Sequence, residues 1–177
     1  MRIVVDAMGS DNHPGPDVAG AVLAARKFGD AIVLVGDKAR VAAELAAHDT
    51  AGLSIEVVHA TEAIGMKDSP ATAARDKRDS SMHVGLQLVR EGAADAFVSA
   101  GNTGAILAVA TLRQTGLGRI RGVQRPALGV VFPIESRPML IDNGANADAR
   151  PEYLLQFGQM GSIYMARMHD IARPRVA

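Results

Sequence analysis

The chain begins Met1-Arg2-Ile3-Val4-Val5-Asp6-Ala7-Met8-Gly9-Ser10-Asp11, and this stretch decides the fold. The apolar run before Asp6 is too short for a signal peptide or a membrane span, and its β-branched residues predict a first strand. Carboxylates and a glycine then follow at the carboxyl end of that strand, where open α/β sheets bind ligands. We therefore predict that Asp6, Gly9, Ser10 and Asp11 contact substrate. The alternative is that Asp11 or Asp17 only caps the next helix.

Farther along, short β-branched runs alternate with longer Ala- and Leu-rich segments, which is the pattern of strands and crossover helices in a parallel sheet. The predicted strands are mostly apolar on both faces: Ile3 to Val5, Ile32 to Val35, Ser54 to Val58, Ala96 to Ser99, Leu128 to Phe132 and Pro138 to Ile141. The predicted helices are Pro16 to Phe28, Lys38 to Ala47, Ser81 to Glu91, Thr103 to Leu112 and Pro151 to Met168. The fold class is therefore α/β, with six strands in one sheet and residues 1–177 in a single domain.

Composition narrows the classes of function. Apolar residues make up 48% of the 177 residues, enough for one domain with a sizeable core. The 19 basic and 19 acidic residues balance, so no sequence-wide field favours nucleic acid as a partner. The chain has no cysteine, which suits the cytoplasm, and its five histidines lack the spacing of a zinc site. We therefore predict a cytoplasmic protein without a bound metal.

The best candidate for an anion site is Ser99-Ala100-Gly101-Asn102-Thr103-Gly104-Ala105, between a predicted strand and a predicted helix. Its small residues let backbone N–H groups face a ligand, the hydroxyls of Ser99 and Thr103 add donors, and the helix contributes its positive N-terminal end. The spacing matches neither a P-loop nor a dinucleotide fingerprint. A phosphate fits this turn, but a tight turn with Asn102 or Thr103 as the helix cap explains the same residues.

A basic segment forms a second candidate anion site. Residues 65–80 make a polar connection that is long for a loop, and we predict it to be flexible. Within it, Arg75, Lys77 and Arg78 can clamp a phosphate, arginine through its planar fork and lysine through a mobile charge that also polarises a carbonyl. The alternative is a solvated loop whose basic side chains pair with Asp76 and Asp79.

Another polar turn, Asp142-Asn143-Gly144-Ala145-Asn146, follows the last predicted strand. We expect Asp142 and Asn146 to lie at the same sheet edge as Asp6 and Ser99. Because several glycine-containing polar turns converge on one edge, the sequence predicts the functional site there.

These segments together resemble the fatty acyl-ACP:phosphate acyltransferases of bacterial phospholipid synthesis, the PlsX family. The resemblance covers nearly all of the chain and is carried by Asp6 to Asp11, Glu62 to Pro70, Arg75 to Ser81, Ser99 to Ala105, Arg125 to Ala127, Asp142 to Asn146, Pro151 to Phe157 and Met160-Gly161. Two positions depart from the family, which usually has a second glycine at Ser10 and an apolar residue at Asn143. Family members continue well beyond Val176, so the chain looks like their N-terminal half with the C-terminal part missing.

The resemblance implies a three-layer α/β/α, Rossmann-like, mostly parallel sheet, related to phosphate acetyltransferases and to isocitrate and isopropylmalate dehydrogenases. It implies transfer of an acyl group from acylated acyl carrier protein to inorganic phosphate, with no cofactor. It also implies a cytoplasmic homodimer that associates peripherally with the membrane and contacts the downstream glycerol-3-phosphate acyltransferase.

For this chemistry the expected phosphate-binding residues are Ser99, Gly101, Asn102, Thr103, Gly104 and Arg75. The expected catalytic residues are Lys77, Asn146 and Asp142: Asn146 or Lys77 donates to the oxyanion, and Asp6 or Asp142 orients the donors. The runner-up activity is that of an acyl-CoA:phosphate transferase of the phosphate acetyltransferase type, although no clear adenine site is evident. A hypothesis of a different class is that the chain is an inactive dimerising fragment. The activity of an NAD-dependent decarboxylating dehydrogenase ranks last, since it needs a cluster of metal-binding aspartates that the sequence does not show.

Overall fold

The computed structural model describes residues 1–113, 116–144, 146 and 148–177, which fold as two compact units, Met1–Arg119 and Ile120–Ala177. The first unit contains, in order, β1 (Arg2–Asp6), α1 (Gly15–Phe28), β2 (Ala31–Gly36), α2 (Lys38–Leu45), β3 (Ile55–His59), α3 (Pro70–Asp76), α4 (Ser81–Arg90), β4 (Ala96–Val98) and α5 (Thr103–Ala110). The second contains β5 (Gly129–Val131), β6 (Met139–Ile141) and α6 (Pro151–Met168). That residues 1–177 form a single domain stays a prediction.

The first unit is built on a parallel sheet of four strands in the order β3-β2-β1-β4. From β1 the chain moves outward to β2 and β3, and it then returns to place β4 on the other side of β1. The strand order therefore reverses between β1 and β4, and such a reversal opens a crevice at the carboxyl ends of the two strands. The prediction of an α/β fold with a mostly parallel sheet is confirmed.

Helices cover both faces of this sheet, which gives the predicted three layers. Successive residues of a strand point to opposite faces. Leu34 of β2 packs in one cluster with α1 and α2, whereas its neighbours Val33 and Val35 pack in another with α4. Helix α4 comes very close to the sheet at Gly85, where a Cβ would lie 2.4 Å from the ring of Phe97. A glycine is therefore required at this helix–sheet contact.

Local sequence signals set the ends of the helices. Pro16 lies in the first turn of α1, where a missing N–H costs no hydrogen bond, and Gly29 ends that helix with a φ of 70° that glycine adopts without strain. Asp37 caps α2 because its carboxylate accepts the N–H groups of Ala39 and Arg40. These short-range signals explain why the predicted and observed helix starts agree closely.

The prediction that residues 65–80 form a flexible loop is wrong. Helix α3 starts at Pro70 within this segment, and its Ala73 and Ala74 are buried in a cluster with α4 and α5. A bridge between Glu62 and Ser80 ties the ends of the segment together. This short helix was not predicted because the polar face of an amphipathic helix has the same residue composition as a loop.

Within the described residues, the last two strands do not join the parallel sheet. β5 and β6 pair with each other in antiparallel fashion and form a two-stranded sheet in the second unit. The connection between them, residues 132–138, is too short for a parallel crossover, which takes a dozen or more residues. The prediction of six strands in one sheet is therefore wrong, whereas the expectation that Asp142 and Asn146 lie close to Asp6 and Ser99 stays a prediction.

Candidate functional site

The carboxyl ends of β1 and β4 meet where the strand order reverses. Val5 is paired with Val98, so the residues that follow them, Asp6 and Ser99, lie side by side, and Ser99 Oγ donates to Asp6 Oδ2 at 2.7 Å. Asp6 is only 1% exposed, and its Oδ1 accepts the Met8 N–H at 3.0 Å. Both oxygens of this buried carboxylate are thus hydrogen-bonded, as a buried charge requires. The structure brings together two site residues predicted from distant segments.

Gly9 lets the loops after β1 and β4 approach each other. A Cβ at this position would lie 2.9 Å from Asp6 Oδ2, 2.9 Å from Ser99 Oγ and 3.0 Å from Gly101 N. Side chains do not tolerate such distances, so only glycine fits without a shift of both loops.

Replacing Gly9 with alanine should therefore lower the free energy of unfolding by about 1–3 kcal/mol, the usual cost of overpacking a close contact. Urea denaturation measures this change. The matched control is Gly20→Ala on α1, where nothing lies within 4 Å of the new Cβ and alanine should stabilise the helix by up to about 1 kcal/mol. Equal effects of the two substitutions would contradict the close approach at Gly9.

The turn from β4 into α5 presents the N-terminus of that helix. Asn102 is the helix cap, since its Oδ1 accepts the Ala105 N–H at 3.1 Å, which confirms the capping interpretation of this residue. The first N–H groups of a helix have no acceptor within the helix, which leaves those of Thr103 and Gly104 directed out of its end. Pro70 of α3 packs closely on Gly104: a Cβ at position 104 would lie 2.8 Å from the Pro70 Cγ. One turn therefore holds both the Asn102 cap and the first N–H groups of the helix.

Lys77 and Asn102 hold the turn before α3. Lys77 Nζ donates to Asp68 Oδ2 at 2.6 Å and to the Ala63 carbonyl at 2.9 Å. Asn102 Nδ2 lies within hydrogen-bond distance of three carbonyl oxygens of the same turn, those of Gly65, Met66 and Asp68. The Lys77 ammonium lowers the pKa of the Asp68 carboxyl below its usual range, and the Gly65 N–H does the same. The Lys77 ammonium is therefore held in place by Asp68 and by the Ala63 carbonyl.

Ser10 and Asp11, which were predicted together as substrate contacts, have different surroundings in the loop after β1. Ser10 Oγ donates to Asp17 Oδ2 at 2.6 Å, and the Ser10 carbonyl lies 2.9 Å from His13 Nδ1, whereas the Asp11 side chain is exposed. Burial raises the pKa of Asp17, the Ser10 hydroxyl opposes the rise, and the negative charge of Asp6 adds to it. Asp17 thus orders the loop after β1 and does not serve as the cap of α1.

Arg75 lies on the exposed end of α3. Its Nε donates to Asp76 Oδ1 at 2.8 Å, which is the local charge pairing proposed as the alternative for this segment. The Asp79 carboxylate, by contrast, accepts hydrogen bonds from the N–H and the hydroxyl of Thr61. Among the residues that the structure describes, no basic side chain forms an ion pair with it. An exposed ion pair of this kind stabilises little, so Arg75 can exchange Asp76 for a phosphate at low cost.

Asp142 and Asn146 come together in the second unit. Asp142 Oδ2 accepts both the N–H and the side-chain Nδ2 of Asn146, at 2.8 and 2.7 Å, and its Oδ1 accepts the Leu128 N–H at 3.2 Å. Asn146 Nδ2 also donates to the Pro126 carbonyl at 3.2 Å, and Arg125 donates to Asn146 Oδ1. Asp142 therefore fixes the orientation of the Asn146 amide.

His83 is a buried histidine that the sequence did not single out. It is 1% exposed on α4, with Nδ1 2.8 Å from Ser80 Oγ. Burial is the main effect and lowers the pKa of His83. The positive charge of Arg78 also lowers this pKa, whereas the Ala74 carbonyl and the negative charge of Glu62 raise it. No motif surrounds this residue in the sequence, so only its position in the fold reveals it.

The stability of the chain should therefore fall in acid through His83. The unfolded chain takes up a proton near pH 6.5 and the folded chain only at lower pH, so just below 6.5 the unfolded state binds more protons and the free energy of unfolding decreases as the pH falls. His83→Gln should remove this part of the decrease. Denaturation of both proteins at a series of pH values measures it, and parallel pH curves would contradict the assignment.

Two further features bear on function. Among the residues that the structure describes, no three His, Asp or Glu side chains gather as a metal site requires. In the same residues, no helix is long and apolar enough to cross a membrane.

Several proteins of similar sequence are named phosphate acyltransferase. A family model described as fatty acid synthesis protein matches residues 1–177. The chain is 53% identical over 177 residues to a phosphate acyltransferase of Herpetosiphon aurantiacus, and 44% identical over 177 residues to one of Geobacter sulfurreducens. These alignments cover 99% of this chain but 47% and 50% of the two relatives, so the chain spans about half of their length.

A solved structure is similar in fold. The crystal structure of a phosphotransacetylase from Streptococcus pyogenes superposes with a TM-score of 0.67, covering 97% of this chain and 55% of that one. The two sequences are 16% identical, so the likeness concerns the fold alone.

Proposed function

This chain belongs to the fatty acid synthesis protein family, and from that premise we propose that it supplies the phosphate site of an enzyme that transfers a fatty acyl group from acyl carrier protein to inorganic phosphate. The product is an acyl phosphate for phospholipid synthesis. The relatives named phosphate acyltransferase support an acyl transfer to phosphate. We also propose that residues 1–177 form the N-terminal part of one longer acyltransferase domain.

The observation that carries this proposal is the contact between Asp6 and Ser99 at the point where the strand order reverses. It fixes the glycine-containing turn from β4 into α5, and an anion at this turn meets the N–H groups at the helix end. In the proposal the phosphate-binding residues are Ser99, Gly101, Asn102, Thr103, Gly104 and Arg75. Asp6, Gly9, Ser10 and Asp11 shape the adjoining wall of the substrate site.

The reaction needs no nucleophile from the enzyme. A phosphate oxygen attacks the thioester carbonyl, a tetrahedral oxyanion forms, and the carbon–sulfur bond breaks to give the acyl phosphate and the carrier thiol, which receives the proton from phosphate. Holding phosphate in line with the thioester lowers the barrier by removing the entropy cost of the encounter. The turn at Ser99 to Gly104 performs this positioning.

Lys77 is the proposed donor to the oxyanion. In the structure its ammonium is hydrogen-bonded to Asp68 and to the Ala63 carbonyl, so its position is fixed before substrate arrives. A donor held in advance stabilises developing charge better than one that must reorganise. In the second unit, the proposed donor is Asn146, whose amide Asp142 orients.

The family resemblance also supports proposals about substrates, partners and location. Acylated acyl carrier protein and inorganic phosphate are the substrates, and no cofactor takes part. The enzyme is a cytoplasmic homodimer, associates peripherally with the membrane, and passes its product to the glycerol-3-phosphate acyltransferase that acts next.

One assay tests the function directly. Acyl phosphate formation is measured with acyl-ACP and with acyl-CoA, using the chain of 177 residues and a hybrid in which the Herpetosiphon aurantiacus relative supplies the sequence that follows. We expect the hybrid to use acyl-ACP. Preference for acyl-CoA would instead indicate a transferase of the phosphate acetyltransferase type, and a folded, dimeric but inactive hybrid would favour a fragment that only dimerises.

The site is tested by Ser99→Ala and Arg75→Ala in the active hybrid. Each should raise the KM for phosphate or lower kcat, because each removes a group that faces the anion in the proposal. Unchanged kinetics in both variants would exclude the turn after β4 as the phosphate site.

A further inference from the structure

The direction of the hydrogen bond between Ser99 and Asp6 decides what Ser99 can offer a ligand. Asp6 Oδ1 accepts the Met8 N–H and Oδ2 lies 2.7 Å from Ser99 Oγ. A carboxylate only accepts hydrogen bonds, so the hydroxyl proton of Ser99 points at Asp6.

The remaining capacity of Ser99 Oγ follows from a count of its bonds. A hydroxyl has one proton and two lone pairs. The proton is given to Asp6, and the Gly101 N–H, 3.0 Å away, takes one lone pair. One lone pair is left on this half-buried side chain. Toward a ligand, Ser99 is therefore an acceptor and not the donor that its residue type suggested.

We propose that Ser99, held by Asp6, makes this site specific for tetrahedral oxyanions that carry a proton. This inference rests on the proposed phosphate site and deepens it. Hydrogen phosphate and hydrogen arsenate present an O–H to the free lone pair of Ser99. Sulfate has the same shape and, near neutral pH, the same charge as doubly charged phosphate, but it has no proton to give.

Two physical effects separate these anions. With sulfate, an oxygen lone pair faces the free lone pair of Ser99 and the two acceptors repel each other, whereas hydrogen phosphate donates a hydrogen bond there. The buried charge of Asp6 also repels any oxyanion that approaches without an intervening proton. The donors at the α5 N-terminus serve both anions alike. We therefore expect phosphate to bind about 10- to 100-fold more tightly than sulfate.

The substitution Asp6→Asn changes Ser99 from a donor into an acceptor in its hydrogen bond with residue 6, and the side chain of residue 6 keeps almost the same shape. The amide oxygen can still accept the Met8 N–H, while the amide nitrogen donates to Ser99 Oγ. The hydroxyl proton is then free to point at the ligand. This variant should bind sulfate better than the unchanged chain does, and its preference for phosphate over sulfate should fall by about tenfold or more. Ser99→Ala removes the acceptor and should also reduce the preference.

The experiment is calorimetric titration of the 177-residue chain and both variants with phosphate, arsenate and sulfate at one ionic strength, with folding checked by circular dichroism. Support requires phosphate and arsenate to bind alike, sulfate to bind more weakly, and the preference to shrink in folded variants. Equal binding of phosphate and sulfate by the unchanged chain, or an unchanged preference in Ser99→Ala, overturns the inference but leaves the phosphate site standing. No phosphate binding by the folded chain overturns both.

Discussion

Replacing Lys77 with methionine is expected to slow acyl phosphate formation by about 100- to 1,000-fold in kcat, because removing one preorganised donor to an oxyanion has an effect of this size. Methionine keeps most of the alkyl chain and removes only the ammonium group, which lies 2.6 Å from Asp68 and 2.9 Å from the Ala63 carbonyl. Steady-state kinetics of the hybrid enzyme, with acyl-ACP and phosphate varied separately, measures the loss.

The matched control is Lys67→Met, which removes an exposed lysine from the same turn and should leave kcat within about twofold, because surface changes have small effects. If Lys77 acts on the oxyanion, kcat falls more than the KM for phosphate rises. A change confined to that KM would show that Lys77 binds phosphate and does not take part in the chemical step.

Replacing Leu34 with alanine should lower the free energy of unfolding by about 2–5 kcal/mol, the largest stability effect that we expect of any substitution described for this chain. Leu34 is fully buried in β2, beneath α1 and α2, where a cavity cannot easily collapse. Chemical denaturation measures the change. Leu23→Ala on α1 provides a matched control, since that leucine is 66% exposed and alanine is a good helix former.

The control should cost less than about 0.5 kcal/mol. A loss at Leu34 no greater than that at Leu23 would mean that the α1 and α2 layer does not pack on the sheet as observed.

Much of the first unit was predictable from the sequence because its signals are local. Short apolar runs such as Ile32 to Val35 are too short for helices, and the Ala-rich segments between them repeat with a helical period, so the α/β class follows. The contact between Asp6 and Ser99 was predictable in kind, since carboxyl ends of parallel strands share one sheet edge. Their direct hydrogen bond was not, because it depends on the register of β1 with β4.

Other features escaped prediction for identifiable reasons. The spacing of residues in the sequence does not indicate which carboxylate pairs with Lys77. The observed partner is Asp68, because α3 folds between the two residues and places them side by side. The short connection between β5 and β6 was visible in the sequence and should have indicated an antiparallel pair. His83 carried no pattern, because the burial of a lone histidine depends on tertiary packing.

The position of β1 inside the sheet has a consequence for how the protein is made on the ribosome. β1 pairs on one side with β2 and on the other with β4, and the Arg2 N–H donates to Asp95, 93 residues later. At typical rates of translation, β4 emerges roughly 5 to 20 seconds after β1. During that interval one edge of an apolar strand has no partner, and such edges invite pairing with other chains. The nascent chain therefore remains exposed to aggregation until β4, which ends beside Ser99, is synthesised and pairs with β1.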